Sequence, residues 1–228
     1  MLSAMALLAW DGLYAQDFIR DYERMMESYR NTEEYSLAAS MHTYSDWASD
    51  KPVETMKAEM RRHGSNYLCR MDGTIMLVNK RCRLMVQPSR KMMIYSSQEK
   101  KKKGKPMELE LDEGLLPDMS GVLDMVRERA EYMGEKDGIR HYSIVDGGGH
   151  LERMEMYIDT ESYMVSRIEY YYDKKAYAGS SKSVLVYDRI DTSPDFSDSD
   201  FSESPYVEMR GGVPVPIGRY SDYELISN

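Results

Sequence analysis

Apolar and polar positions along this chain change period twice. Phe18, Tyr22, Met25, Met26 and Tyr29 recur at helical spacing with charged residues between them, which predicts a helix over 17–30 with Asp17 as its N-cap. From Tyr35 the period is two: Tyr35, Leu37, Ala39 and Met41 alternate with polar or small residues, as in a half-buried strand. Residues 53–63 suit either period. Between Asn66 and Ser97 short apolar runs alternate with turn signals at Asp72-Gly73, Asn79-Lys80 and Pro88-Ser89-Arg90. This reads as a four-strand meander over 66–71, 74–78, 81–87 and 92–97.

Two-residue turns fix the register, so the faces of the meander can be assigned. One carries Leu68, Ile75, Leu77, Cys82, Leu84, Val86, Met93 and Tyr95; the other carries Tyr67, Cys69, Met71, Met76, Val78, Met85 and Ile94, diluted by Arg83 and Gln87. Both faces are apolar enough to need cover, whereas an ordinary antiparallel sheet keeps one face wet. One face is therefore expected to meet helices and the other a second layer or a cavity. The cysteines fall on opposite faces and are not expected to pair.

A second helix is predicted over 118–133, with Met119, Val122, Leu123, Val126, Ala130 and Met133 on one face and Gly134 as its stop. Strands resume over 139–145, 151–159, 164–173 and 183–191. An acidic loop follows over 191–203, then short strands over 206–209 and 219–226, with Pro214 and Pro216 in the connection. About ten strands and two clear helices without βαβ alternation make a β-dominated α+β protein with an antiparallel sheet.

At 228 residues one large β domain is the natural reading. The formal charge of −9 disfavours a nucleic-acid partner, because phosphate neutralisation needs basic groups. Nineteen Tyr suit half-exposed strand surfaces, and 20 Met suit an adaptable interior or groove. Residues 1–15 read as a signal peptide, an imperfect one because no Lys or Arg precedes the apolar run Met1–Trp10 and Asp11 interrupts its end; a start further upstream and an ordinary buried strand or helix are the alternatives, and no Cys near Ala15 offers a lipid-acceptor site. No apolar run reaches the roughly 20 residues of a transmembrane helix.

Candidate chemistry is sparse. Gly147-Gly148-Gly149 precedes His150 and Leu151, which makes it a turn and not a phosphate loop. His141 and His150 flank that turn without a third ligand, so no metal site is assigned. Asp195, Asp198, Asp200 and Glu203 lack calcium-loop spacing and read as a solvated loop, as do Lys100, Lys101, Lys102 and Lys103. No carboxylate pair stands out as catalytic, no cofactor motif is present, and the chain is read as a binding protein and not an enzyme.

Asn66-Tyr67-Leu68, Thr74-Ile75-Met76-Leu77-Val78-Asn79, Leu84-Met85-Val86, Pro88 and Met92-Met93-Ile94-Tyr95, with Phe201-Ser202-Glu203 and Tyr220-Ser221-Asp222-Tyr223-Glu224-Leu225-Ile226, resemble the outer-membrane lipoprotein carrier (LolA-like) superfamily, and within it members of the Bacteroidetes type. The resemblance covers 17–228. It implies an incomplete antiparallel half-barrel over 16–228 covered by two or more helices, and an apolar cavity between sheet and helices for the acyl chains of a lipoprotein or lipid. The expected function is that of a soluble periplasmic carrier or chaperone. The alternative is an envelope protein-interaction or sensor module on the same scaffold. The candidate ligand-binding residues are Leu68, Met76, Leu77, Val78, Leu84, Val86, Met93 and Tyr95, with the lining face left open.

Overall fold

A computed structural model of the chain describes residues 8–98, 129–173 and 180–227. Fourteen strands and one α-helix are present among them. The chain divides into two compact units, one of Met1–Thr32, Ser40–Thr55 and Glu110–Asp188, the other of Glu33–Ala39, Met56–Leu109 and Arg189–Asn228. Strand β1 (Glu34–Tyr44) runs from the second unit into the first.

In the first unit the helix α1 (Leu8–Asn31) lies beside a five-strand sheet. The strand order is β11 (Lys182–Asp191), β10 (Val165–Tyr172), β9 (Leu151–Asp159), β8 (Ile139–Gly148), β7 (Ala130–Lys136). Period-two alternation sends Tyr142, Ile144, Met154, Met156, Ile158 and Ile168 into the core, where Phe18, Tyr22 and Met25 of α1 are also buried. Phe18 meets Tyr142 edge to face, with ring centroids 5.2 Å apart. Asp21, on the same buried helix face, accepts hydrogen bonds from Arg140 Nη1 at 2.7 Å and Tyr142 Oη at 2.6 Å.

Two helical expectations change. The helix starts at Leu8, so the backbone at Asp17 is helical and that residue is no N-cap. In the second predicted helix, residues 118–128 lie outside the described part, and Ala130–Met133 belong to strand β7. Gly134 does not stop a helix: it has φ 125° and pairs with His141 just after a register shift that begins at Tyr132, a bulge that glycine accommodates. A cover of two or more helices is thus not what the described residues present; they hold α1 alone.

In the second unit the strand order is β14 (Glu224–Ser227), β6 (Met92–Ser97), β5 (Cys82–Gln87), β4 (Thr74–Val78), β3 (Asn66–Met71), β2 (Glu54–His63). The ambiguous stretch over 53–63 is strand β2. Asp72 and Gly73 both take positive φ, 46° and 76°, the turn their dipeptide favours. The register then aligns Leu68, Leu77, Leu84 and Tyr95 in one cross-strand row, and Ile75, Val86, Met93 and Leu225 in the next. Cys69, Met76, Met85 and Ile94 form a row on the opposite face, as the turn lengths require.

The C-terminal segment departs from the sequence reading. Residues 218–220 form a 3-10 turn, and β14 pairs with β6 in parallel, whereas β2 to β6 pair antiparallel. Pro214 and Pro216 are not in a connection but in strand β13 (Val213–Pro216), which forms a separate hairpin with β12 (Val207–Arg210). Proline is tolerated there because a two-stranded ribbon is all edge.

Cys69 and Cys82 are free and buried on opposite faces. Burial pushes both thiols above their ordinary range, Cys82 to about 11 with the Glu203 carboxylate adding to the effect. The thiolate is the reactive form. Both cysteines are therefore expected to resist iodoacetamide at pH 8 in the folded protein, to react fully in urea, and to form no intramolecular disulfide under mild oxidants. Free-thiol counting by mass spectrometry checks this, and labelling of either cysteine before unfolding would refute it.

Candidate functional site

The apolar face of the second unit's meander is covered by the unit's own C-terminal segment. Phe201, Tyr206, Val207 and Tyr220 join Leu68, Ile75, Leu77, Leu84, Val86 and Met93 in one buried cluster. Phe196 packs edge to face on Phe201, and Tyr220 lies between Tyr206 and Tyr223. What holds this cover down is polar. Asn79, itself buried, donates from Nδ2 to the Phe201 carbonyl at 2.9 Å and to Glu203 Oε2 at 2.8 Å. Its Oδ1 accepts from the backbone N–H groups of Arg81 and Cys82, both at 2.9 Å. Arg81 completes the lock with an ion pair to Glu203 at 2.9 Å.

The cover leaves one part of the face open. A pocket of about 550 Å³ is floored by Leu68 and Leu77 and walled by Tyr206 and Tyr220. Its rim is polar: Arg70 from β3, Arg219 from the 3-10 turn 218–220, and Ser199, Asp200 and Ser202 from the loop before β12. Asp200 is already engaged. Its carboxylate accepts from the Ser197 backbone N–H at 2.9 Å and the Ser197 hydroxyl at 2.8 Å, which hold it below the usual carboxylate range. Neighbouring Asp198 accepts from Asn66 Nδ2 at 2.9 Å and lies 3.5 Å from Lys80 Nζ. The acidic loop is thus tied into the fold at these two positions.

The eight residues expected to bind ligand separate into three groups. Leu68 and Leu77 line the pocket. Leu84, Val86, Met93 and Tyr95 share their face but lie outside the pocket lining, against the C-terminal segment; all six are at most 5% exposed, with Leu68 at 3% and Leu77 at 1%. Met76 and Val78, one residue out of phase with Leu77, point to the opposite face and are half-buried. Of the rim, sequence reading missed both arginines. Arg70 carried a signal: it shares its parity with Leu68, so it belongs to the apolar face. Arg219 carried none, because a turn that folds back over a sheet leaves no periodic trace.

The first unit brings together a second polar group. On the face of β8–β10 away from Tyr142 and Met156, Glu155 and Glu169 stand directly opposite each other, 8% and 7% exposed. Arg153 pairs with Glu155 at 3.1 Å and Arg167 with Glu169 at 2.7 Å. His141 Nε2 lies 2.7 Å from Glu155, and Tyr171 Oη donates to Glu169 at 2.6 Å. His141 stacks on Tyr157, and Arg153 lies over the Tyr171 ring beside Trp47. The two carboxylates are neutralised by two arginines in place, and neither lines the pocket described above. His141 is committed to Glu155 and Tyr157, not to His150.

No family model and no curated protein matches the chain. Among solved structures it is similar to an uncharacterized conserved protein from Thermus thermophilus, with a TM-score of 0.50 and 8% identity over 93% of this chain and 99% of that one. That similarity is one of fold. A LolA superfamily protein from Nitrosomonas europaea aligns over 84% of this chain and 99% of its own, at 12% identity and a TM-score of 0.35. The MucA/MucB complex of Pseudomonas aeruginosa aligns over 80% of this chain and 59% of that chain, at 12% identity and a TM-score of 0.39. No described helix is long and apolar enough to cross a membrane.

Proposed function

We propose that the protein is a non-catalytic carrier of the LolA-like half-barrel type, of the Bacteroidetes kind, exported to the periplasm and working there as a soluble protein that holds the acyl part of a lipid or lipoprotein. The observation that carries this reading is the pocket over Leu68 and Leu77. It is open, its floor is aliphatic and its walls aromatic, and about 550 Å³ falls within the roughly 300–1,000 Å³ typical of small-molecule sites. Burial of acyl carbons drives affinity, at about 0.8 kcal/mol per CH₂. Leu84, Val86, Met93 and Tyr95 continue the same face beside the floor, under the C-terminal segment.

The alternative, an envelope protein-interaction or sensor module, has an observation of its own. The cover occupies most of the apolar face, while the Trp47–Tyr171–Arg153 group offers a half-buried aromatic and charged surface of the type enriched at protein interfaces. One preparation separates the two readings. Protein recovered from a Gram-negative periplasm is extracted with organic solvent and the extract analysed by mass spectrometry. The carrier reading expects acyl-bearing molecules near one per chain, displaced by a fluorescent fatty acid. An empty protein that also refuses the fluorescent probe sinks it. Capture of one envelope protein by the wild type but not by a Tyr171→Ala variant favours the alternative.

A further inference from the structure

The rim of the pocket points to a head-group. Sheet alternation places Arg70 on the packed face, opposite Ile75 and in phase with Leu68, where a hydrophobic side chain is the usual occupant. It is half-buried there; Glu59 of β2 stands directly opposite it in the register, and no ion pair joins the two among the described residues. Arg219, at the same rim, donates to the Tyr220 hydroxyl and lies over the Tyr220 ring with its guanidinium carbon 4.8 Å from the centroid; it too has no carboxylate partner among the described residues. The chain carries 39 acids against 30 Lys and Arg, so two arginines that share one pocket and both lack an acidic partner depart from its charge balance. The one carboxylate at the rim, Asp200, is held ionised by the two hydrogen bonds from Ser197, so its single negative charge stands against the two positive charges of the arginines. The hydroxyls of Ser199 and Ser202 add polar groups beside the arginines.

We infer that this pocket is an oxyanion site, in which Arg70 and Arg219 bind a phosphate or carboxylate group while the body of the ligand lies on Leu68, Leu77 and the two tyrosine rings. Guanidinium groups suit this role because their planar fork matches the spacing of paired oxygens. The inference deepens the carrier reading by assigning the chemistry of the head, and it stands without it, since an oxyanion site remains if the natural ligand has no acyl chain.

The test uses the full chain and three soluble probes in isothermal titration calorimetry: hexyl phosphate, hexanol and inorganic phosphate. Hexyl phosphate is expected to bind at least tenfold more tightly than hexanol. Arg70→Gln and Arg219→Gln are each expected to weaken hexyl phosphate by about tenfold, the scale of one lost charge-assisted hydrogen bond, and to leave hexanol unchanged. Arg70→Lys should retain part of the affinity. If inorganic phosphate matches hexyl phosphate, the oxyanion is taken free; if hexyl phosphate is tighter, it is the head of an amphiphile; both outcomes support the site. Equal affinity for hexyl phosphate and hexanol, binding of neither, or glutamine variants that bind like the wild type would overturn it. Arg219 is exposed, so Arg219→Gln carries the test even if the Arg70 variant fails to fold.

Discussion

Replacing Asp21 with alanine will lower the stability of the first unit by about 3 kcal/mol, as fits the removal of one partner from a buried ion pair. Asp21 has no exposed surface, and its Oδ2 takes hydrogen bonds from both Arg140 and Tyr142. Alanine deletes the acceptor and leaves a buried phenol and a three-quarters buried guanidinium without it. Arg140 keeps only its contact with Glu135, at 3.2 Å and nearer to solvent. The hydrogen bond to Asp21 raises the Arg140 guanidinium pKa, but arginine stays protonated without it, so Arg140 cannot escape the loss by neutralising. Asp21→Asn keeps the shape and an acceptor for Tyr142 and should cost about half as much. Pairing Asp21→Ala with Tyr142→Phe should give a coupling of about 1–2 kcal/mol. Trp47 belongs to this unit, so its fluorescence in urea follows it. A shift of the midpoint below the equivalent of about 1 kcal/mol would show that the helix is held by its apolar face alone.

The buried carboxylate was invisible to periodicity because it obeys it. Asp21 falls beside Phe18, Tyr22 and Met25, but a single acid near an apolar stripe reads as its edge until the partner strand is known. Strands β3 to β6 were legible almost to the residue because Asp72-Gly73 pins the register and period two does the rest. Strand β7 was misread for a related reason. Its Ala130 and Met133 extend the i, i+3, i+4 series begun at Met119, whereas Ala130 and Tyr132 turn inward at strand spacing. Asp137-Gly138, with φ values of 52° and 76°, was the local signal that Ala130–Lys136 starts a hairpin. A helical series competes with a two-residue turn only until the turn chemistry is given its weight.

The site was half legible. The meander's alternation identified an apolar face that required cover, and Leu68 and Leu77 followed from it. What supplied the cover could not be read, because Phe196, Phe201, Tyr206 and Tyr220 lie in loops and short turns whose spacing has no period. The resemblance placed helices over an apolar cavity; in the second unit aromatic side chains of the C-terminal segment fill that role over most of the face. Arg70 stands at the rim from within strand β3, whereas Arg219, Asp200 and the two serines come from turns. Residues in turns are free of the apolar alternation that strands impose, so arginine and serine can be set at the edge of a hydrophobic floor.

Asn79→Ala will loosen the cover from the meander and destabilise the second unit by about 3 kcal/mol. All four hydrogen-bonding positions of the Asn79 amide are used: two N–H groups toward the Phe201 carbonyl and Glu203, two oxygen lone pairs toward the Arg81 and Cys82 amides. Alanine leaves two turn amides and a buried carbonyl without their partner, and each such group costs about 1–3 kcal/mol less whatever water can reach. Asn79→Asp should be worse than alanine at pH 7 despite its near-identical shape. The introduced carboxylate would face the Phe201 carbonyl and the Glu203 carboxylate, so the folded state raises its pKa. A group raised in this way favours folding below its unfolded pKa and opposes it as pH rises through the folded value. The deficit relative to alanine should therefore shrink on acidification. Cys82, next to the lost contacts and protected in the native state, gives the readout. Its native-state alkylation should accelerate by about a hundredfold in Asn79→Ala, the equivalent of roughly 3 kcal/mol in the opening equilibrium, while labelling at Cys69, on the other face, reports whether the sheet itself has opened. Equal acceleration at both cysteines would mean that the whole unit unfolds at once; no acceleration at Cys82 would mean that the aromatic contacts of Phe201, Tyr206 and Tyr220 hold the cover without the amide.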